Sequence, residues 1–205
     1  MCIRDSSDDT QIVAYDAQGG QFAVRLWWLA RWLGHRAVAL LDGGWPVWLA
    51  NGGAVETAAP AMPARGQFSL NPPLVAVVGA NEVVASLGNA QRLLLDARLS
   101  ERFRGEVEPI DPVAGHIPGA RNRAWQNNLN TDLTFKSPAV LRGEFESLIG
   151  GRDATTVTHQ CGSGVTASHN VFAMELAGLP GAPLYAGSWS EWIADPAHPI
   201  ALGDA

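Results

Sequence analysis

Three things are scarce in this 205-residue sequence, and each absence excludes something. Lysine occurs once, as Lys136, and 14 Lys+Arg against 20 Asp+Glu leave a net charge of −6. Affinity for phosphate backbones and anionic surfaces comes from clustered Lys and Arg, so no nucleic acid and no membrane is expected as the main partner. Cysteine occurs twice, too few for a disulfide framework. Cys2 lies in an end segment out of keeping with the rest, which leaves Cys161 as a free thiol suited to a reducing, cytoplasmic setting. Long apolar runs are missing: no stretch of about 18 apolar residues is available to span a bilayer as a helix. The opening MCIRDSSDD lacks the apolar core of a signal peptide. What remains, 47% apolar and 17% charged, is a globular composition for one large or two ordinary domains.

The chain alternates short strands with helices. Residues 11–16 (QIVAYD) read as a buried strand, and a helix over residues 22–33 follows, with Leu26, Leu29, Ala30 and Leu33 on one face, three tryptophans widening it and Gly34 at its end. A strand over 37–41, the turn Asp42-Gly43-Gly44-Trp45 and a short helix over 46–50 come next. Residues 53–73 turn to Ala, Pro and Gly and read as a linker. Beyond it are a helix starting near Asn81 with Glu82 in its first turn, a strand over 92–96, and a charged, turn-rich segment over 98–115. Ser137-Pro138 starts a helix that Gly150-Gly151 stops. A strand ending at Cys161, a helix over 165–177, a strand over 184–186 and a last helical turn in GSWSEW complete the pattern. This alternation predicts an α/β fold, a parallel sheet flanked by helices.

Two stretches share one layout. Asp16 ends a strand before a Gly-rich turn and a helix, with Trp45 following in a Gly-Gly-Trp turn; Cys161 does the same, with Trp189 following in Gly-Ser-Trp. The strand ending at Asp96 has no counterpart ahead of Asp16, so the first copy is expected to be incomplete. Residues 10–52 are then expected to be less stable than the rest unless they dock on the second unit.

The segment TVTHQCGSGVTA, residues 156–167, places a thiol where a strand enters a Gly-rich turn and a helix begins. Successive backbone N–H groups and the positive end of the helix dipole favour the thiolate there. A phosphate-binding loop needs a Gly-Lys-Ser/Thr that is absent. A cysteine phosphatase needs an Arg six positions after the cysteine, where Ala167 stands. A cysteine protease needs a His base; His159 shares the facing of Cys161 only if the strand runs unbroken into the turn, and His169 is the other nearby choice. His116 reads as a loop-packing residue, and no ligand cluster suggests a metal.

Five motifs in order, DAR (96–98), RF (102–103), GHIPGA (115–120), CGSGVTA (161–167) and GSWSEW (187–192), resemble the catalytic half of a two-domain sulfurtransferase of the rhodanese superfamily. The resemblance implies a rhodanese-like α/β fold of tandem domains with the first one incomplete. Residues 10–52 would be the C-terminal half of an inactive domain with Asp16 at the cysteine position, 53–73 a linker, and 74–205 the catalytic domain. It also implies that Cys161 takes a sulfane sulfur from a small-molecule donor as a persulfide and passes it to cyanide, a thiol or thioredoxin, without a cofactor. Arg102 would bind the donor's anionic part, and Gly162, Ser163, Gly164, Val165 and Thr166 would line the site. Arg98 would be structural. The Gly162-Ser163 pair, where thiosulfate enzymes carry a basic pair, favours 3-mercaptopyruvate as donor, with thiosulfate as the alternative; a non-catalytic rhodanese-like binding module is the reading from another class. A second donor-binding arginine of the family is replaced by Asp111, and Arg104 is the expected substitute.

Overall fold

A computed structural model describes residues 5–58 and 64–204; Cys2 lies outside them. The chain forms two parallel sheets. In the first, β1 (Ile12–Ala14) and β2 (Val38–Leu40) pair from Ile12 opposite Val38 to Ala14 opposite Leu40, joined by helix α1 (Ala23–Trp32) and followed by α2 (Gly44–Ala50). The second sheet has the order β3-β7-β6-β4-β5, all parallel. Its strands are β3 (Val77–Val78), β4 (Leu93–Asp96), β5 (Arg121–Asn122), β6 (Val157–Gln160) and β7 (Leu184–Tyr185). Its helices are α3 (Ala80–Ser86), α4 (Ser100–Phe103), α5 (Pro138–Ile149), α6 (Ala167–Leu176) and α7 (Ser188–Trp192).

Local chemistry sets the boundaries of several elements. Helix α1 stops where Gly34 enters the left-handed region at φ +82°, and the N–H groups of Gly34 and His35 close back on the Arg31 and Ala30 carbonyls. A Cβ at Gly34 would lie 2.5 Å from Asn71, so no other residue fits there. The Glu82 carboxylate accepts from the Gly79 N–H ahead of α3, and the Ser137 hydroxyl accepts from Val140 at the start of α5. Alternation along β4 sends Leu93 and Leu95 to one face, against Leu141, Phe145, Ile149 and Met174 of α5 and α6. Leu94 goes to the other, with Val83, Phe103, Tyr185, Trp189 and Trp192.

The first sheet does not stand alone. The buried stripe of α1 is Ala23, Val24, Trp27, Trp28 and Ala30; of the face the sequence predicts, Ala30 is buried, whereas Leu26, Leu29 and Leu33 are only half-buried. The helix is wedged between its own sheet and α6, and the tryptophans are the side chains long enough to fill that gap. Trp27 and Trp28 share a cluster with Ala97, Cys161, Ala167, Val171 and Leu184 of the second unit, and Trp27 meets Phe172 edge-on with 4.9 Å between centroids. Polar contacts fix the register: the Gly19 carbonyl lies 3.0 Å from His169 Nε2, and the Phe135 N–H donates to Asp42 at 2.8 Å. The Asn71 and Leu74 N–H groups donate to the Leu33 and Arg31 carbonyls. The docking that would stabilise residues 10–52 is therefore present, although Val13 and Tyr15 stay at least half exposed.

Candidate active site

Cys161 follows β6, at the carboxyl end of the second sheet, where open parallel sheets present their ligand sites. Both sides of its backbone are tied to the start of α7. Its carbonyl accepts from Trp189 at 3.0 Å, and its N–H donates to the Ser188 hydroxyl at 3.1 Å, which in turn donates to the Tyr185 carbonyl at 2.9 Å. Ser188 is held at φ +54°, unusual for a residue with a side chain. The thiol is free and 2% exposed.

The turn after Cys161 is forced by packing. Gly164 has φ +75°, and a Cβ there would lie 2.2 Å from the Ala186 carbonyl oxygen. Among the described residues, none of the backbone N–H groups from Gly162 through Ala167 finds an acceptor. A run of unsatisfied N–H groups at the start of a helix is an anion-binding concavity. Ser163 is exposed, and Val165 and Thr166 are half-buried.

Arg102 reaches this turn: a Cβ on Gly162 would lie 3.7 Å from both of its terminal nitrogens. Its charge is already engaged, by Glu108 at 2.6 Å and Asp111 at 3.2 Å. Burial works against ionisation of Glu108, yet Arg102 and the N–H groups of Asp111 and Ile110 hold its carboxyl below the ordinary glutamate value. The Ser190 hydroxyl sits 2.8 Å from both Asp111 and the Gly162 carbonyl, tying the carboxylate to the turn. Arg98 is buried in a fork with Asp96, donates to the Gly115 carbonyl at 2.7 Å and lies 3.5 Å from Glu108. Arg104 does not take up the role expected of it, because its guanidinium is turned to Glu106 at 2.7 Å.

The histidines are spent on structure. His159 is fully buried against the Met174 sulfur, and loss of hydration, with Arg123 nearby, pulls its pKa down to about 3. His169 lies between Gly19 and Asn128 and stacks on Phe135; burial outweighs the opposing hydrogen bond and lowers it to about 4. His116 stacks on Phe103 at 3.9 Å and bonds its carbonyl. His159 and His169, enclosed and held neutral, offer no base to Cys161, and the His116 ring is committed to Phe103.

The first unit contributes a matched turn and one cation. The Asp16 carboxylate accepts from the N–H groups of Gln18, Gly20, Phe22 and Ala23, all within 2.9 Å, and the Asp16 carbonyl accepts from Trp45 at 2.8 Å. Arg25 of α1 stacks over Trp28 at 4.7 Å and donates to the Gly164 carbonyl across the unit boundary at 3.3 Å. Arg25 does not stand out in the sequence, since it acts on the turn from a distant part of the chain and no local pattern marks it; Ser188 lies within the GSWSEW motif, but the motif does not show its contact with the Cys161 N–H.

A family model described as "Rhodanese-like domain" matches residues 2–51 and 79–195. The chain belongs to this rhodanese-like family. It is 50% identical over 197 residues to "Probable 3-mercaptopyruvate sulfurtransferase" of Pseudomonas aeruginosa, covering 96% of this chain and 69% of that one. It is 36% identical over 194 residues to "Thiosulfate sulfurtransferase" of Bos taurus, covering 91% and 64%. The anaerobic ergothioneine biosynthesis enzyme from Chlorobium limicola, solved with trimethyl histidine, shares the fold with TM-score 0.81 at 24% identity, over 98% of this chain and 53% of that one. The rhodanese-like chain thus spans about two thirds of these curated relatives and about half of that solved structure. Among the described residues no helix is long and apolar enough to cross a membrane.

Proposed function

We propose that this rhodanese-like chain is a sulfurtransferase that moves a sulfane sulfur from 3-mercaptopyruvate through a Cys161 persulfide to a thiophilic acceptor. The observation that carries the reading is the free Cys161 thiol at the head of a turn whose N–H groups lack acceptors, beside a matching turn in which four N–H groups hold the Asp16 carboxylate.

In the first half-reaction the Cys161 thiolate attacks the donor sulfur. The donor's C–S bond breaks, its electron pair goes to carbon, and the thiol proton ends on that carbon, giving pyruvate and a Cys161 persulfide anion. The turn's N–H groups would take the negative charge of the outer sulfur, as the Asp16 turn takes that of a carboxylate. In the second half-reaction an acceptor attacks the outer sulfur, the S–S bond breaks, and its electron pair returns to Cys161 as thiolate. Cyanide would leave as thiocyanate; a thiol or thioredoxin would leave carrying the sulfur.

Arg102 is assigned to the donor's carboxylate, with Gly162, Ser163, Gly164, Val165 and Thr166 forming the turn. Thiosulfate, which would leave sulfite behind, is the alternative donor; it is a dianion, and Glu108 and Asp111 already occupy Arg102. This favours the monoanionic donor. The catalytic unit is assigned to residues 74–205, with 10–52 as a non-catalytic partner unit and 53–73 as the linker. A cytoplasmic location and thioredoxin as the acceptor agree with a mechanism that requires a reduced thiol.

Incubation with donor should add about 32 Da, one sulfur atom, to the Cys161 peptide, and Cys161→Ser should abolish transfer to cyanide from either donor. Sulfur transfer surviving in that variant would overturn the assignment. An unmodified Cys161 peptide, with no transfer from either donor, would favour a non-catalytic binding module instead.

A further inference from the structure

Charge around Cys161 does not balance. Arg98 and Arg102 face three carboxylates, Asp96, Glu108 and Asp111, in one connected network. That network borders the turn through Gly162 and leaves it with no free positive charge. On the opposite side, α1 brings Arg25 to the Gly164 carbonyl at 3.3 Å, and among the described residues this guanidinium meets no carboxylate.

We propose that Arg25, carried by the first unit, is a positioning residue for the Cys161 sulfur. With the Ser168 hydroxyl, which donates to the same carbonyl at 3.1 Å, it pins the turn through Gly164, and it sets an unpaired positive charge on the turn of a sulfur that must be anionic both as thiolate and as persulfide. Three observations converge on it. The guanidinium sits over Trp28, 4.7 Å from the centre of a 2% exposed ring packed in the same cluster as Cys161 and Ala167, which restricts where it can go. The carbonyl it grips belongs to Gly164, the residue whose left-handed conformation shapes the turn. Burial lowers the Arg25 pKa from the ordinary arginine value, and the charge of a Cys161 thiolate acts on it in the opposite direction.

The Ser168 hydroxyl shares the grip on Gly164 but carries no charge, and among the described residues no other cation at the turn is left unpaired. Arg102 is neutralised, the Ser188 hydroxyl is committed to the Cys161 N–H and the Tyr185 carbonyl, and His159 and His169 are enclosed and neutral. Arginine stays protonated throughout the range in which a thiol titrates. The arrangement gives the first unit a part in positioning the sulfur: it carries the cation at the turn that no carboxylate offsets among the described residues.

The inference rests on the sulfurtransferase reading only in taking Cys161 as the reacting group, and its test uses no sulfur donor. The full chain and its Arg25→Gln, Arg25→Met and Arg25→Lys variants are alkylated with iodoacetamide from about pH 5.5 to 9, and modification at Cys161 is followed by peptide mass spectrometry. The Gln and Met variants should react about tenfold more slowly near neutrality and approach the wild-type rate only in alkali, while Lys, which keeps the charge, should stay within about threefold of wild type. Met keeps an unbranched side chain over Trp28 and so separates charge from packing. Wild-type rates in both neutral variants, or a Lys variant as slow as they are, would overturn the proposal.

A second readout does not depend on whether the neutral variants fold. In the wild-type chain the Arg25 side-chain ¹⁵N resonance should move as the thiol titrates and should not do so in Cys161→Ser; a resonance indifferent to Cys161 would count equally against the idea. Failure of sulfur transfer in the wild-type chain would instead count against the donor chemistry and would leave both of these readouts intact.

Discussion

Asp16 and Cys161 occupy matching positions in two strand–turn–helix segments, each just after a strand and ahead of a helix. The carbonyl of each accepts the N–H of the tryptophan that opens the next turn, Trp45 at 2.8 Å and Trp189 at 3.0 Å. In the first segment the side chain is an anion, and the N–H groups of its own turn enclose it. In the second the side chain is a thiol, and the N–H groups of its turn find no acceptor among the described residues. The first unit is thus an internal picture of what the second can hold: a small negative charge at the head of a helix.

That relationship makes Asp16 a stability element with a defined pH signature. Burial disfavours its charge, but the four N–H groups outweigh that and hold the carboxyl below the usual aspartate value. A depressed acid contributes stability that is complete above the unfolded-state value and is lost as pH falls through the folded one. The two buried histidines act at higher pH. Their values of about 3 and about 4, against 6.5 when unfolded, mean that the unfolded chain takes up protons first. Stability should therefore fall from about pH 6.5 downwards, by up to roughly 1.4 kcal/mol per pH unit for each histidine. Asp16→Asn sets an amide N–H₂ against backbone donors and should cost on the order of 3 kcal/mol near pH 7. Urea denaturation at a series of pH values checks both: the variant should keep the histidine slope and lose only the part below about pH 4.

Ser188 and Gly44 solve the same backbone problem differently. Each precedes the turn tryptophan, with φ of +54° and +57°. In the first unit a Cβ at Gly44 would lie 2.2 Å from the Asp16 carbonyl oxygen, so only glycine fits. In the second unit the strained serine is retained, and its hydroxyl caps the Cys161 N–H. Ser188→Ala keeps the strain and leaves that N–H without an acceptor, a loss of about 1–3 kcal/mol. Ser188→Gly relieves the strain and should lose less stability than Ala. Both should slow sulfur transfer, since the cysteine backbone is no longer held at its N–H. Denaturation midpoints together with donor kinetics test this; an alanine variant as stable and as active as wild type would remove Ser188 from the site.

Much of this fold could be read from the chain because its signals are local. Gly34, Glu82 and Ser137-Pro138 mark helix ends by chemistry that acts within a few residues. The two-residue strands β3 and β5 were not visible, because each exists only by pairing with a longer or more central neighbour. Helix α4 was hidden in the turn-rich 98–115 segment, being a single turn with no room for a periodic pattern. At the site the same division holds. Cys161 and its glycines announce a turn, and the family motifs point to Arg102, but the clamp on Arg102 is a tertiary arrangement of Glu108, Asp111 and Ser190. Arg25 lies 139 residues from its partner Gly164, a distance no sequence window spans.

Asp111 is where donor choice should be most open to change. Its carboxylate shares Arg102 with Glu108 and is anchored to the turn through Ser190, so an anionic donor approaching Gly162 meets a guanidinium already offset by two negative charges. Repulsion from one carboxylate scales with donor charge, on the order of 1 kcal/mol per unit charge in a partly hydrated cleft. Thiosulfate, a dianion, bears twice the penalty of monoanionic 3-mercaptopyruvate. Asp111→Asn keeps the shape and removes the charge. It should raise kcat/KM about fivefold for mercaptopyruvate and about thirtyfold for thiosulfate, narrowing the preference between them, with little effect on transfer from a preformed persulfide to cyanide. Steady-state kinetics with both donors measure the ratio directly. Equal gains for the two donors would mean that Asp111 acts through the geometry of Arg102 and not through its charge.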